Sequence, residues 1–218
     1  MSVENKRTVE VYKKTAKEYI SSSINTTEDE IIKAERKKEK LQKFIKESFS
    51  SLKKQSKILE IGSADGENAK YIEDLGFKVT PSDIAEDFLD AIKKLNLDPI
   101  KLDIVEDEIK EKYNGVFCWR VFVHFTKEDA KKVLEKVYNI LEGDGIFIFN
   151  AMNREIRNVE DEWVDFEGKF HIGIDRYYNY YYQEELDNMI KLTGFNIINF
   201  HKEGGEFNNK WLVYVLKK

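Results

Sequence analysis

The spacing of apolar positions changes character along this chain. Over residues 8–20 (TVEVYKKTAKEYI), Val11, Tyr12, Ala16, Tyr19 and Ile20 fall near one face of a helix, which Ser21, Ser22 and Ser23 interrupt. Thr27 with Glu30 three residues on is a capping box. It opens a charged helix through Phe49 with Ile31, Ala34, Leu41, Phe44, Ile45 and Phe49 on one stripe. From Lys57 short apolar runs alternate with helical stretches. The runs predict strands at 57–61, 77–80, 99–102, 115–119 and 145–150. Helices are predicted between them at about 66–75, 85–95 and 127–141, with a shorter turn of helix near 106–111. Gly76 and Gly143 stand where glycines close helices. Residues 151–182 break the rhythm and end in RYYNYYY, Arg176–Tyr182. A helix over 183–192 and strands over 195–200 and 211–216 finish the pattern. The last two strands are joined by HKEGGEFNNK, too short for a helical crossover, so they are expected to pair antiparallel.

Strands alternating with helices imply an α/β fold with a parallel sheet covered on both faces. In such sheets ligands bind at the carboxyl ends of the strands. Three acidic residues, Glu60, Asp83 and Asp103, fall at or just past three successive strand ends. Glu60 leads into a turn of small residues, Gly62, Ala64 and Gly66, ahead of a helix. That turn alone also suits an NAD-type dinucleotide site, but Glu60 would repel a pyrophosphate. Asp83 lies 21 residues after Gly62, the distance at which a carboxylate meets a ribose hydroxyl pair. Three carboxylates along one rim suit a ligand carrying a positive charge, an amine and a ribose. Asp103 reads equally well as a helix N-cap. Ala64 stands where the usual spacing has glycine; a methyl there disfavours positive φ, so the turn is expected to contain no left-handed residue at Ala64.

EIGSADG (Glu60–Gly66) resembles the first motif of class I S-adenosylmethionine-dependent methyltransferases. VTPSDIAEDFLDAIKK (Val79–Lys94) resembles the second, KLDIVE (Lys101–Glu106) the third, and GVFCWRVFVHF (Gly115–Phe125) the fourth strand and its loop. The run from YYYQEELDNMIKLTGFNIINF to WLVYVLKK is similar to the family's closing helix and reversed hairpin. The resemblance spans about residues 8–218. It implies a Rossmann-like three-layer sandwich with a seven-stranded, mostly parallel sheet whose last strand is antiparallel. It also implies S-adenosyl-L-methionine as cofactor and S-adenosyl-L-homocysteine as product. Carried onto this chain, Gly62, Ala64 and Gly66 would line the methionine half and Glu60 its amino group. Asp83 would hold the ribose, Ile84 would pack on the adenine, Asp103 would approach the adenine amino group, and Ile104 would sit beside the ring. Trp119 would meet the methionine portion. Tyr12 and Tyr19 would lie on a helix that covers the cofactor, with core packing as the alternative.

Methyl transfer from a sulfonium needs orientation and exclusion of water, and a base only where the acceptor carries a proton. His124, in the loop after the fourth strand, is the candidate base, with a structural histidine as the alternative. Arg120 beside Trp119 would bind an acidic acceptor or lean on the cofactor, unless it forms a surface ion pair. His171, Arg176, Tyr178 and Tyr180 lie in the insertion where such enzymes build the acceptor lid. Alternation puts Tyr178, Tyr180 and Tyr182 on one side and Tyr177 and Tyr181 on the other. An aromatic wall of this kind suits a small cyclic or cationic acceptor. Trp163 and Phe166 would close the same pocket. Cys118 reads as core, and three scattered histidines with one cysteine offer no metal spacing.

Composition narrows the partners. The 218 residues suit one domain over 1–218, with residues 1–50 as a helical lid and 151–182 as an acceptor-side insertion. A net charge of −5 gives nucleic acid no general invitation. One cysteine and no apolar leader or membrane-length run point to a cytoplasmic protein. A small-molecule acceptor and a monomer or homodimer are expected. The rivals are a methyltransferase acting on tRNA or a protein side chain, and a non-catalytic homologue.

Overall fold

The computed structural model describes residues 1–22, 27–157, 159–165, 175–204 and 210–218. Two helices, α1 (Val3–Ser22) and α2 (Glu28–Ser48), precede the alternating part. The expected capping box opens α2: Thr27 Oγ1 accepts the Glu30 amide, and the Glu30 carboxylate accepts the Thr27 amide. Then follow β1 (Lys57–Ile61), α3 (Glu67–Asp74), β2 (Lys78–Asp83), α4 (Glu86–Lys93), β3 (Ile100–Lys101) and β4 (Tyr113–Cys118). The chain continues through α5 (Lys127–Ile140), β5 (Leu141–Asn153), β6 (Asp161–Asp165), β7 (Asp175–Tyr181), α6 (Gln183–Thr193), β8 (Asn196–Glu203) and β9 (Trp211–Lys217).

The central platform runs β3-β2-β1-β4-β5-β9-β8. The first five strands are parallel, and β9 is antiparallel to both β5 and β8. Residue parity decides which layer each side chain joins. Leu59, Ile61, Val116, Cys118, Phe147 and Phe149 pack under Ala130, Val133, Leu134 and Val137 of α5 and Leu186 and Ile190 of α6. Ile58, Phe117, Ile146 and Ile148 point the other way, onto Ile45 of α2, Phe49 at its end and Ile72 of α3. The result is the three-layer sandwich that the alternation implies. Cys118 is fully buried in it, and burial pushes its thiol up, so it is core.

Among the described residues the sheet has nine strands rather than seven, because the insertion after β5 adds an antiparallel ribbon, β6–β7. Its placement follows from register. β9 occupies one edge of β5 from Ile146 to Met152, and β4 occupies the other only as far as Phe149. β7 takes the edge that β4 vacates, pairing Tyr180 and Tyr181 with Met152 and Asn153. The ribbon therefore stands just beyond the carboxyl end of β4.

Three local expectations fail. No helix forms at 106–111: Asp103 Oδ1 accepts the Val105 and Glu106 amides and the Asp103 carbonyl accepts the Asp107 amide, which caps a single turn that the chain does not continue. Gly143 closes no helix. The chain passes from α5 straight into extended Leu141, and the left-handed residue nearby is Asp144, a type that tolerates it. The serine break falls later than expected, since α1 stays helical through Ser22; Ser23 lies outside the described residues.

Candidate active site

The turn after β1 is held by residues of the neighbouring strand β2. Gly62, Ala64 and Gly66 all have positive φ, at 70°, 48° and 82°. The expectation that Ala64 avoids the left-handed region is therefore wrong. Its amide donates to Asp83 Oδ2 (3.0 Å), a charge-assisted bond that offsets the strain a Cβ brings there. Gly62 has no such latitude: a Cβ on it would stand 2.3 Å from Cγ2 of Val121. Two serines that the motif reading passed over knit this turn to β2. Ser63 N donates to Ser82 O, Ser82 N to Ser63 Oγ, and Ser82 Oγ to Glu60 O.

Glu60 is buried on β1 with 2% exposure, and its Oε2 has no hydrogen-bond partner. Burial lifts its carboxyl from 4.5 to about 8. A buried acceptor of this kind, without a counter-charge, fits an ammonium group. Asp83 Oδ1 accepts the Ile84 and Ala85 amides while Oδ2 takes Ala64 alone, which leaves Oδ2 capacity for a hydroxyl. Burial nevertheless pushes this carboxyl up. Ile84 is half-buried beside it. Asp103 behaves as the cap of its own turn, and Ile104 is buried in the core under α5. Trp119 stacks on Phe117 at 5.7 Å and meets Phe44 at 6.0 Å, on the α2 side. α1 crosses above this rim. Tyr19 and Tyr12 both pack on Phe88 of α4, in a cluster that includes Ala16, Ala85 and Ala64.

Beyond β4 a second constellation comes together from distant segments. Tyr12 Oη lies 2.9 Å from His124 Nε2, and Arg176 Nη1 donates to Tyr12 Oη at 2.7 Å. His124 Nδ1 lies 2.8 Å from the Tyr177 carbonyl. A carbonyl only accepts, so Nδ1 carries the proton, and Nε2 accepts from the Tyr12 phenol. The chain of donors runs in one direction, Arg176 to Tyr12 to His124 to the backbone. Burial, with the Arg176 charge assisting, lowers the imidazole from 6.5 to about 4, against the Tyr177 carbonyl. Burial raises the Tyr12 phenol, which Arg176 partly offsets. The Tyr177 amide is held too, by Thr8 Oγ1 of α1 at 3.1 Å. Tyr178 meets the imidazole edge-on at 5.2 Å.

The tyrosine alternation holds for this face: Tyr178 and Tyr180 join Val123, Met152 and Trp211. Tyr181 enters the main core and Tyr177 packs on Trp163, while Tyr182 is exposed under Arg154. Trp163 is also covered by Arg7 at 4.1 Å. His171 and Phe166 lie outside the described residues. Arg120 is exposed, left-handed (φ 61°), and donates its amide to Asn150 Oδ1 at 2.6 Å. Asn150 was missed from the sequence, although a lone amide in the apolar run GIFIFNAM signals it. Among the described residues no cluster of histidine, cysteine or carboxylate side chains is placed to hold a metal. None of the described helices is long and apolar enough to cross a membrane.

Solved structures share this fold. An S-adenosylmethionine-dependent methyltransferase from Clostridium acetobutylicum is 18% identical, with a TM-score of 0.64 over 81% of this chain and 89% of the other. The CcbJ methyltransferase from Streptomyces caelestis is 17% identical, with a TM-score of 0.62 over 78% and 86%. The glycopeptide N-methyltransferase MtfA, complexed with S-adenosyl-L-methionine, is 13% identical, with a TM-score of 0.59 over 78% and 84%. No curated protein matches in sequence. A family model described as "Methyltransferase domain" matches residues 33–199, most of the chain from α2 to β8, and the chain belongs to that methyltransferase family.

Proposed function

We propose that this protein transfers a methyl group from S-adenosyl-L-methionine to a hydroxyl oxygen of a small molecule. The observation that carries the cofactor is the unpartnered Oε2 of buried Glu60 beside the left-handed turn of Gly62 and Ala64. An amino group there would give that carboxylate the counter-charge it lacks, and Asp83 Oδ2 would take a ribose hydroxyl. Bound S-adenosylmethionine supplies a methyl group already activated on a positive sulfur. What the chain must add is orientation, dryness and a place for the acceptor's proton. α1 serves as the cover, since it packs on the cofactor rim through Phe88 and on the acceptor wall through Tyr177.

Tyr12 Oη is the group that faces the acceptor. One of its lone pairs takes Arg176; the other is available to an acceptor O–H, while the phenol proton points at His124 Nε2. As the acceptor oxygen becomes methylated it turns strongly acidic. Its proton then passes to Tyr12 and the phenol proton to Nε2. A base held near 4 is adequate for that proton and far too weak for the proton of an alkylammonium, which favours oxygen over nitrogen.

Calorimetric titration with S-adenosyl-L-homocysteine tests the cofactor assignment. Binding that weakens in Asp83→Ala is expected, and no binding to the wild-type chain would sink it.

A further inference from the structure

We propose that Arg120 and Lys210, set against the ring of Trp211, form a subsite for an oxyanion carried by the acceptor, a carboxylate or a phosphate. This deepens the methyltransferase reading and rests on it for the word acceptor. The subsite itself rests on geometry.

Arg120 Cζ and Lys210 Nζ each lie 5.8 Å from the centroid of Trp211, the first residue of β9. Trp211 belongs to the same packed group as Tyr178, and Tyr178 touches the imidazole of His124. One continuous wall thus runs from the two cations to the proton-accepting pair. Arg120 also acts at that end: burial raises the Tyr178 phenol, and Arg176 and Arg120 pull it back.

The two cations stand out from their surroundings. Nearby, Lys127 pairs with Glu160 and Glu185, Arg154 with Glu160, Arg157 with Glu162, and Lys202 with Glu155. Among the described residues neither Arg120 nor Lys210 has a carboxylate partner, in a chain with 41 acidic and 36 basic residues. Both are exposed, so lacking a carboxylate costs little in itself, but they share one ring and repel each other, and a bound anion relieves that repulsion. Burial lowers the Lys210 ammonium, and the charges of Arg120 and Arg157 lower it further, as expected of cations facing each other.

Backbone strain points the same way. A left-handed arginine is strained and persists only where the surroundings enforce it. Here the enforcing group is Asn150, fully buried, whose Oδ1 takes the Arg120 amide. The guanidinium fork suits a planar oxyanion, and the ammonium adds a point charge. The tyrosine-rich wall suits a small cyclic or cationic acceptor; these two cations favour the acidic acceptor that Arg120 also allowed.

The test is a titration of the full chain with inorganic phosphate at constant ionic strength, following the Trp211 indole N–H resonance, assigned through Trp211→Phe. A parallel acetate titration tells phosphate from carboxylate as the favoured group. A saturable shift is expected in the wild type, weakened about tenfold or more in Lys210→Gln and abolished in Arg120→Gln/Lys210→Gln. No saturable shift with either anion, or one that survives the double substitution, overturns the subsite. Homocysteine-form cofactor binding, measured by calorimetry on the same samples, is read separately. Its absence in the wild type would sink the methyltransferase reading and leave the anion result standing.

Discussion

The turn after β1 and the surroundings of His124 differ in how far the chain travels to make them. Glu60, Gly62, Ala64 and Gly66 lie within one short stretch, and Asp83 reaches that stretch across a single strand–helix–strand unit. The partners of His124 come from 112 residues before it and 53 residues after it. The first region is fixed by backbone: three left-handed residues in the turn and three amides on one carboxylate. The second is fixed by side chains docked from three elements. Substitutions in the first are therefore expected to act on fold and cofactor affinity together, and substitutions in the second on rate.

Tyr12→Phe puts this distinction at most risk. It keeps the packing on Phe88 and removes only the hydroxyl between Arg176 and His124, so methyl transfer should slow by about 10²–10⁴. Cofactor affinity should hardly move, and the melting temperature should fall modestly, because buried Arg176 and His124 Nε2 each lose a hydrogen-bond partner. A rate equal to wild type in single-turnover assays would break the relay.

Gly62→Ala should do the reverse. The new methyl meets Val121 in a backbone region hostile to it. We expect a loss of about 1–3 kcal/mol in urea denaturation, with cofactor binding lost in calorimetry. Val121→Ala in the same chain should restore part of the stability; no recovery would mean the crowding is misplaced.

A pH series probes the two buried titrating groups. Glu60 keeps a proton up to about 8 in the folded chain but only to about 4.5 unfolded, so its stabilising effect, full below 4.5, is lost as pH rises through 8. His124 has the opposite sign: its effect is full above 6.5 and is lost as pH falls toward 4. The two oppose each other between 4.5 and 6.5, and above 6.5 only Glu60 acts. Stability of the cofactor-free protein should fall by no more than about 2 kcal/mol from there to pH 8, at most one proton's worth. Glu60→Gln should flatten that limb in thermal melts, and a slope unchanged by the substitution would place the titrating group elsewhere.

The smallest effect is expected at Ala64→Gly, which relieves a left-handed alanine and should stabilise the chain by up to about 1 kcal/mol in the same urea assay.

The same distance explains what the sequence disclosed. Strand parity, the capping box of α2 and the carboxylates at the ends of β1 and β2 depend on residues close together in the chain, so they can be read from it. Ala64 was misjudged because what holds it is the hydrogen bond its amide donates to the Asp83 carboxylate, a tertiary contact. Tyr12 could be placed on the first helix, but its bond to His124 could not, because no local pattern encodes the angle at which α1 crosses. Lys210 and Trp211 look like the plain start of a final strand until β9 is laid beside β5.

Among the described residues the ribbon β6–β7 pairs with the platform strands through only two residues of β5, Met152 and Asn153, and is otherwise held by side chains such as Tyr180 and Tyr181. A two-rung splice of this kind can be exchanged as a unit, with its core tyrosines, while the strands that hold Glu60 and Asp83 keep their register. For an engineer, the acceptor wall is then a cartridge: a chimera that swaps residues 154–182 alone should keep the cofactor cradle and change what is methylated.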